Sequence, residues 1–189
     1  MVTAPGASAA ETPRLRLRNW REGDAEAFAR HTNSEAVMRW LGGVRPRAFL
    51  DAVVHEHFMR WQAERGFTFW VVERKADGAF LGFCGLKVAD GRGSSVAGAI
   101  EIGWRLREDA WGQGYAKEAA TAALGFAFET LGAERVVALT VAGNRASWGL
   151  MLRLGMARRE DLDYFDADWP ESMNPVIVYE MERSRWNPS

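Results

Sequence analysis

Two glycines separated by one residue stand between a strand-like run and a helix-like run, at Trp111-Gly112-Gln113-Gly114-Tyr115-Ala116-Lys117. Such a loop lets successive backbone N–H groups converge. The positive end of the following helix dipole points the same way, so the junction suits a phosphate, with Lys117 adding charge if it faces outward. It is not a Walker A loop, which needs two glycines five residues apart followed by Lys and Ser or Thr. Nor is it a dinucleotide fingerprint, because Lys117 stands where the third glycine would be. Plain turn chemistry also produces a glycine pair at such a place. In the preceding strand-like run, Glu101 is a carboxylate that is costly to bury unless it is used or paired, and burial would raise its pKa. A solvated or ion-paired strand position is the alternative. Gly103 suits a bulge that splays this strand from the next.

Other residue types with chemical potential carry less. Cys84 lies in the apolar run Phe80 to Leu86 with no basic partner beside it in sequence, which predicts a buried, inert thiol. His55 and His57 are two apart, so on a helix they point about 200° apart and share no metal; no metal is expected. His57 falls on the apolar side of its segment and is predicted to be a packed core or interface histidine. The run from Glu160 to Glu171 holds six acids and no base, and it reads either as solvated surface or as a patch for a cation.

The elements that must position these residues follow from periodicity. Leu15 and Leu17 alternate with Arg14, Arg16 and Arg18, a half-buried first strand. Asp24 is placed to cap a helix carrying Ala25, Phe28 and Ala29, which Asn33-Ser34 ends. A second helix is predicted from about 48 to 63, with Leu50, Val53, Val54, His57, Phe58 and Trp61 at helical spacing and a stop at Gly66. Segments 67–73 and 80–88 flank the turn Asp77-Gly78 and read as a hairpin, followed by a flexible loop over 90–97. In the next strand Ile100, Ile102, Trp104 and Leu106 share one face, and Glu101, Gly103 and Arg105 the other. A helix over 115–131 ends at Gly132, and the apolar strand over 135–141 is buried on both faces. Strand, glycine loop, helix and strand in this order predict a parallel, right-handed unit. Asn144 caps a helix to Leu154, a strand starts over 156–159, a loop spans 160–175, and a strand over 176–181 closes the sheet.

With 189 residues, one α/β domain over 13–183 is expected, between tails at 1–12 and 184–189. There are 24 basic and 25 acidic residues, so nothing global attracts nucleic acid or an anionic membrane. Segment 1–10 lacks the basic start and apolar core of a signal peptide, and no stretch approaches a membrane span. A single cysteine permits no internal disulfide, which suits a reducing cytoplasm.

These residues together resemble a family. Gly114 and Ala116 match the loop of the GNAT N-acetyltransferases, and Trp111 stands where that loop has Arg or Gln, a replacement associated with the ribosomal-protein (RimJ/RimL-like) branch. Asn144-Arg145-Ala146-Ser147 followed by Leu154-Gly155-Met156 resembles the family's second motif. Thr12 to Arg18 and Val37-Met38-Arg39-Trp40-Leu41-Gly42 resemble the start of the same branch, so the likeness covers nearly the whole chain.

The resemblance implies a mixed, splayed β-sheet of about six to seven strands flanked by helices. It also implies direct transfer of acetyl from acetyl-CoA to a primary amine. Main-chain groups of Trp104, Arg105 and Leu106 would then hold the pantetheine arm and polarise the thioester. Trp111, Gly112, Gln113, Gly114, Tyr115, Ala116 and Lys117 would bind the pyrophosphate, with Asn144 also at the cofactor. Glu101 becomes the candidate base, because an amine that arrives as ammonium must lose a proton. The position of the family's usual acidic tyrosine is Met151, which donates no proton, so Ser147 is the candidate acid or thiol hydrogen-bond donor. Helix capping is the other role open to Ser147. The first two helices would form one wall of the acceptor cleft. Tyr164, Asp166 and Trp169 are expected at a cationic acceptor, a small-molecule amine or a peptide N-terminus. The chain is expected to act as monomer or homodimer. A small-molecule amine acetyltransferase and a non-catalytic acyl-CoA-binding module are the alternatives.

Overall fold

The computed structural model describes residues 8–187. Its strands are β1 (Ser8–Glu11), β2 (Leu15–Arg18), β3 (Phe69–Arg74), β4 (Phe80–Val88), β5 (Ile100–Leu106), β6 (Arg135–Val141), β7 (Ala157–Arg158) and β8 (Val176–Glu182). They form one mixed sheet in the order β1-β2-β3-β4-β5-β6-β8-β7. Eight strands rather than six or seven arise for two local reasons. Ser8–Glu11, expected in the tail, pairs antiparallel with β2, and the two-residue β7 adds outside β8. The last long strand therefore does not close the sheet; it lies between β6 and β7. At the other end Trp186 stacks on Phe128 with centroids 5.6 Å apart, so the packed chain extends into the expected C-terminal tail. The remaining tail positions, 1–7 and 188–189, lie outside the described residues.

One face of the sheet is covered by α5 (Tyr115–Gly125), which continues as a π-helical turn over Phe126–Thr130, and by α6 (Arg145–Arg153). Ala119, Ala120 and Ala123 are fully buried and let α5 lie close to the strands. Leu17, Trp70, Ile102, Val136 and Met151 belong to the core beneath. The other face carries α1 (Asp24–Thr32) and a helical rod over 47–65, built from α3 (Arg47–Ala52), the π-helical Val53–Met59 and α4 (Arg60–Arg65). The short α2 (Glu35–Met38) starts from Ser34, whose hydroxyl accepts from the Val37 N–H. Beneath the rod Trp20, Phe28, Phe58 and Phe83 form an aromatic cluster. A third, smaller cluster of Ala89, Val96, Val137, Tyr164 and Val178 packs loops against β6 and β8.

Several local expectations change. Asp24 does not cap α1 with its side chain: it is the first helical residue, after Gly23 at φ 91°. Its carboxylate instead accepts from both Arg18 terminal nitrogens, at 2.7 and 2.9 Å, and from the Arg21 N–H at 2.9 Å. His57 is exposed rather than packed in the core. The buried positions of the rod recur at Leu50, Val54, Phe58 and Trp61, which turns His57 outward, edge-on to Trp61 at 5.5 Å. Gly103 makes no bulge with β4, since the register runs unbroken from Gly82↔Leu106 to Val88↔Ile100, yet the expected splay from the next strand is present, because β5 pairs with β6 only at Ile100 and Glu101. The glycine is required by close approach: a Cβ there would lie 2.9 Å from the Phe69 ring. Cys84 is fully buried, and burial pushes its thiol well above the usual range, as an inert thiol requires.

Candidate active site

Strands β5 and β6 run parallel, and they pair only at Ile100↔Val136 and Glu101↔Val137. Beyond Glu101 they diverge, while β5 stays paired with β4 along its whole length. The β6-facing edge of the 104–106 segment thus has no ladder partner; the Leu106 carbonyl is taken by the Trp111 indole, and the remaining main-chain groups on that edge are available to a ligand. Leu106 is buried in the core beneath α5 and Trp104 packs against it, so these two can offer only backbone. Because parallel strands end at the same edge, the loops that follow β5 and β6 flank this opening.

The first of those loops is the glycine loop. Gly112 and Gly114 have φ of 72° and 81°, left-handed values that favour glycine. No side chain caps α5. The N–H groups of its first turn therefore have neither an intrahelical acceptor nor a side-chain cap. The Trp111 indole donates to the Leu106 carbonyl at 2.9 Å, and Gln113 Nε2 donates to the Asp109 carbonyl at 2.6 Å, which fix the loop's path. Tyr115 is buried and Ala116 packs against the core, whereas Lys117 is exposed. Arg14, read from the sequence only as an outward strand residue, donates to the Gln113 carbonyl at 3.0 Å and to Glu118 at 2.6 Å. Its guanidinium lies 4.6 Å over Tyr115. Only the sheet order brings β2 within reach of α5. An uncapped helix start, two left-handed glycines and the cations Arg14 and Lys117 fit a pyrophosphate.

The second loop leads into α6. Asn144 Oδ1 accepts from the Ser147 N–H at 3.3 Å, so Asn144 makes the cap and the Ser147 hydroxyl does not. That hydroxyl is half-buried and has no hydrogen-bond partner among the described residues. Met151 is buried in the main core. Gly143, just before α6, meets the Trp40 ring so closely that a Cβ would lie 2.5 Å from it, which ties the segment after α2 to this edge.

Glu101 projects from β5 onto the face that carries α1 and the rod. Its side chain is 13% exposed, and Oε2 is buried without a hydrogen bond. Burial raises its pKa to about 7, against the opposing pull of Lys87, whose Nζ lies 3.5 Å away. Lys87 sits directly across the ladder and also pairs with Asp90 at 2.6 Å. Burial works against its ammonium, yet Glu101 and Asp90 hold its pKa above the ordinary lysine range. Nothing local in the chain singles out Lys87. Its place opposite Glu101 follows from the hairpin register.

Tyr164 lies close enough to Glu101 and Lys87 to feel their charges, and Asp166 lies beside it. Both crowd Gly91, each 2.8 Å from where a Cβ would sit. Burial raises the Tyr164 hydroxyl above its usual range, with the Glu101 charge adding. Trp169 lies apart from them, its ring against Gly42 beside the Arg45 guanidinium. Half of the acidic run is matched: Asp161 pairs with Arg159 at 2.7 Å, Asp163 with Arg158, and Asp168 faces Arg92 at 3.7 Å. Asp166 is buried and held by Asn174, which accepts from its N–H at 2.9 Å and donates to its carbonyl at 3.1 Å. Among the described residues no group of three His, Cys, Asp or Glu gathers that could hold a metal ion. No helix there is long and apolar enough to cross a membrane.

Comparison with known proteins agrees with this arrangement. Residues 14–157 match the model of the acetyltransferase (GNAT) domain. The uncharacterized protein YkkB of Bacillus subtilis is 30% identical over 174 residues, spanning 89% of this chain and 92% of that protein. The structure of a putative ribosomal-protein-serine acetyltransferase from Vibrio cholerae superposes with a TM-score of 0.73 at 22% identity, over 95% of this chain and 99% of that one. Spermidine N-acetyltransferase from Vibrio cholerae, solved with CoA and spermine, gives 0.71 at 16% identity, over 92% and 98%. At those identities the two structures bear on the fold. The domain match, the full-length relative and the parted β5–β6 pair together make this chain a member of the GNAT family, an N-acetyltransferase.

Proposed function

We propose that the enzyme moves acetyl from acetyl-CoA directly onto a primary amine, with Glu101 as base and Ser147 as hydrogen-bond donor to the thiol. The observation that carries this reading is the opening of β5 from β6 just past Glu101, flanked by the uncapped start of α5 and by the unpartnered Ser147 hydroxyl. Acetyl-CoA supplies an activated thioester; everything else is positioning and proton transfer by this chain. The first-turn N–H groups of α5, with Gly112 and Lys117, hold the pyrophosphate, and the free edge of 104–106 holds the pantetheine arm. Asn144 keeps Ser147 at the head of α6. A carboxylate whose pKa is near 7 is well matched to take a proton from an ammonium at neutral pH, directly or through one water.

The motifs at Trp111, Asn144 to Ser147 and Thr12 to Arg18 support an acceptor of the ribosomal-protein branch, a protein N-terminal amine. A small-molecule amine is the competing class. The two Vibrio cholerae structures, one titled for a ribosomal-protein serine and the other holding spermine, superpose almost equally well, so the fold does not choose between these classes. Calorimetric titration with acetyl-CoA, with ATP and NAD as controls, tests the cofactor. Selective binding followed by thiol release with an amine supports the proposal. A folded sample that binds acetyl-CoA no better than ATP defeats it.

A further inference from the structure

Arg105 extends from β5 on the same face as Glu101, and its guanidinium lies 5.2 Å from the Phe28 ring centroid and 5.3 Å from that of Phe83. Its Nε is buried without a hydrogen bond, and among the described residues it forms no ion pair. Burial, with the nearby charge of Arg45 adding, draws its pKa down to about 10. Arg45 also has no acid partner among the described residues. It lies 5.4 Å over Phe49, with its guanidinium against Gly42, where the Trp169 ring also packs. Two aromatic faces stabilise a buried guanidinium but give its N–H groups no acceptor, so an anion is what this end of the cleft lacks. The opposite end has the reverse character, with Glu101 and Asp90 paired to Lys87 and Tyr164 beside them.

We propose that Arg105, assisted by Arg45, binds a carboxylate of the acceptor, so that the substrate class is an amine bearing an acidic group rather than a polycation. This rests on the N-acetyltransferase mechanism above and adds the charge and length of the acceptor to it. Glu101 and Arg105 are four residues apart on one strand, so their Cα atoms are about 13 Å apart at ~3.3 Å per residue. An α-amino acid carries both groups on one carbon and is too short to engage both side chains directly. A longer ω-amino acid, or a peptide whose second or third residue is acidic, spans the distance. Its ammonium sits at the Glu101 end and its carboxylate at the Arg105 end.

The test uses matched pairs of acceptors in a thiol-release assay. An ω-amino acid is compared with its amide, and a short peptide with Glu at its second position with the same peptide bearing Gln. The intact enzyme is expected to favour the acidic member of at least one pair by about tenfold or more in kcat/KM; whichever pair it is identifies the source. Arg105→Gln abolishes that preference, chiefly through KM, and Arg105→Lys keeps part of it because the bidentate fork is lost and the charge retained. Arg45→Gln reduces the preference several-fold and serves if Arg105→Gln does not fold. Damage to the fold alone would lower both members together and leave their ratio intact. An unchanged ratio in Arg105→Gln, or in Arg45→Gln should the former not fold, overturns the inference. So does a polyamine or neutral amine that outpaces every acidic one, although the transferase mechanism then survives. If acetyl-CoA releases thiol with no amine of any charge, both fall.

Discussion

Arg18 and Arg105 are both cations drawn into the interior, and the protein treats them in opposite ways. Arg18, 4% exposed, spends its guanidinium completely: Nε donates to Glu73 at 2.7 Å, and the terminal nitrogens donate to Asp24 and to the Asn19 carbonyl. Burial works against its charge, but Asp24 and Glu73 hold its pKa above the ordinary arginine range. Arg105 has ring faces and no acid, and its pKa falls. The first cluster locks α1 onto the sheet through β2 and β3. The second leaves a buried charge unsatisfied, which in our proposal a carboxylate of the acceptor completes. Paired buried charge belongs to the scaffold here, and incompletely paired buried charge to the proposed site.

The sharpest way to break that contrast is to remove one member from each cluster. Asp24→Ala leaves Arg18 short of its counter-charge and is expected to lower stability by about 3–5 kcal/mol in denaturant titration. Arg105→Gln removes a charge that burial already disfavours, so its Tm is expected to stay level or rise. Equal losses from the two variants would erase the distinction.

Glu101→Gln comes next. Loss of a positioned base is expected to reduce kcat/KM by about 10²–10⁴ in the thiol-release assay. Its stability should move the other way with pH. The native state keeps this proton up to about pH 7, while the unfolded chain releases it in the ordinary carboxylate range. Ionisation of Glu101 therefore removes stability as pH rises through that window, and Glu101→Gln should melt no lower than the native protein at pH 8. A large drop in Tm with normal kcat would make Glu101 a scaffold charge like Glu73.

Smaller effects refine the same picture. The kcat/KM of the native enzyme should rise with pH through about 7. Lys87→Met withdraws the charge that opposes burial, so this limb should move upward, by roughly one pH unit. A limb that stays in place would assign the titration to another group. Ser147→Ala should lower kcat by roughly fivefold, about the ~1 kcal/mol of one net hydrogen bond, and leave acetyl-CoA affinity unchanged. Weaker acetyl-CoA binding with unaltered kcat would move Ser147 from the thiol to the cofactor grip.

Much of the site was legible because its signals are local. Glycines that need positive φ, an Asn that caps its own helix and a carboxylate inside an apolar strand each show within a few residues of their own segment. Less legible were Arg14, Lys87 and Arg45, whose meaning depends on partners far away in sequence. Arg14 reaches Gln113 and Glu118 only because β2 and α5 share an edge of the core, and Lys87 faces Glu101 only through the β4–β5 register. In the acidic run, Arg92, Arg158 and Arg159, all outside the run, pair with three of its six acids, and only the Arg92 contact is distant in sequence.

By itself, then, the sequence determined most of the succession of elements from β2 onward, the glycine loop at the head of α5 and the identity of the residues that could do chemistry, since these depend on propensity, spacing and backbone conformation within single segments. Tertiary structure alone decided that β8 inserts beside β6, at which residue β5 and β6 part, and that Arg18 is matched while Arg105 is not. The physical reason is that burial and ion pairing are properties of places where distant segments meet, and no single segment carries the desolvation or the counter-charge that sets them.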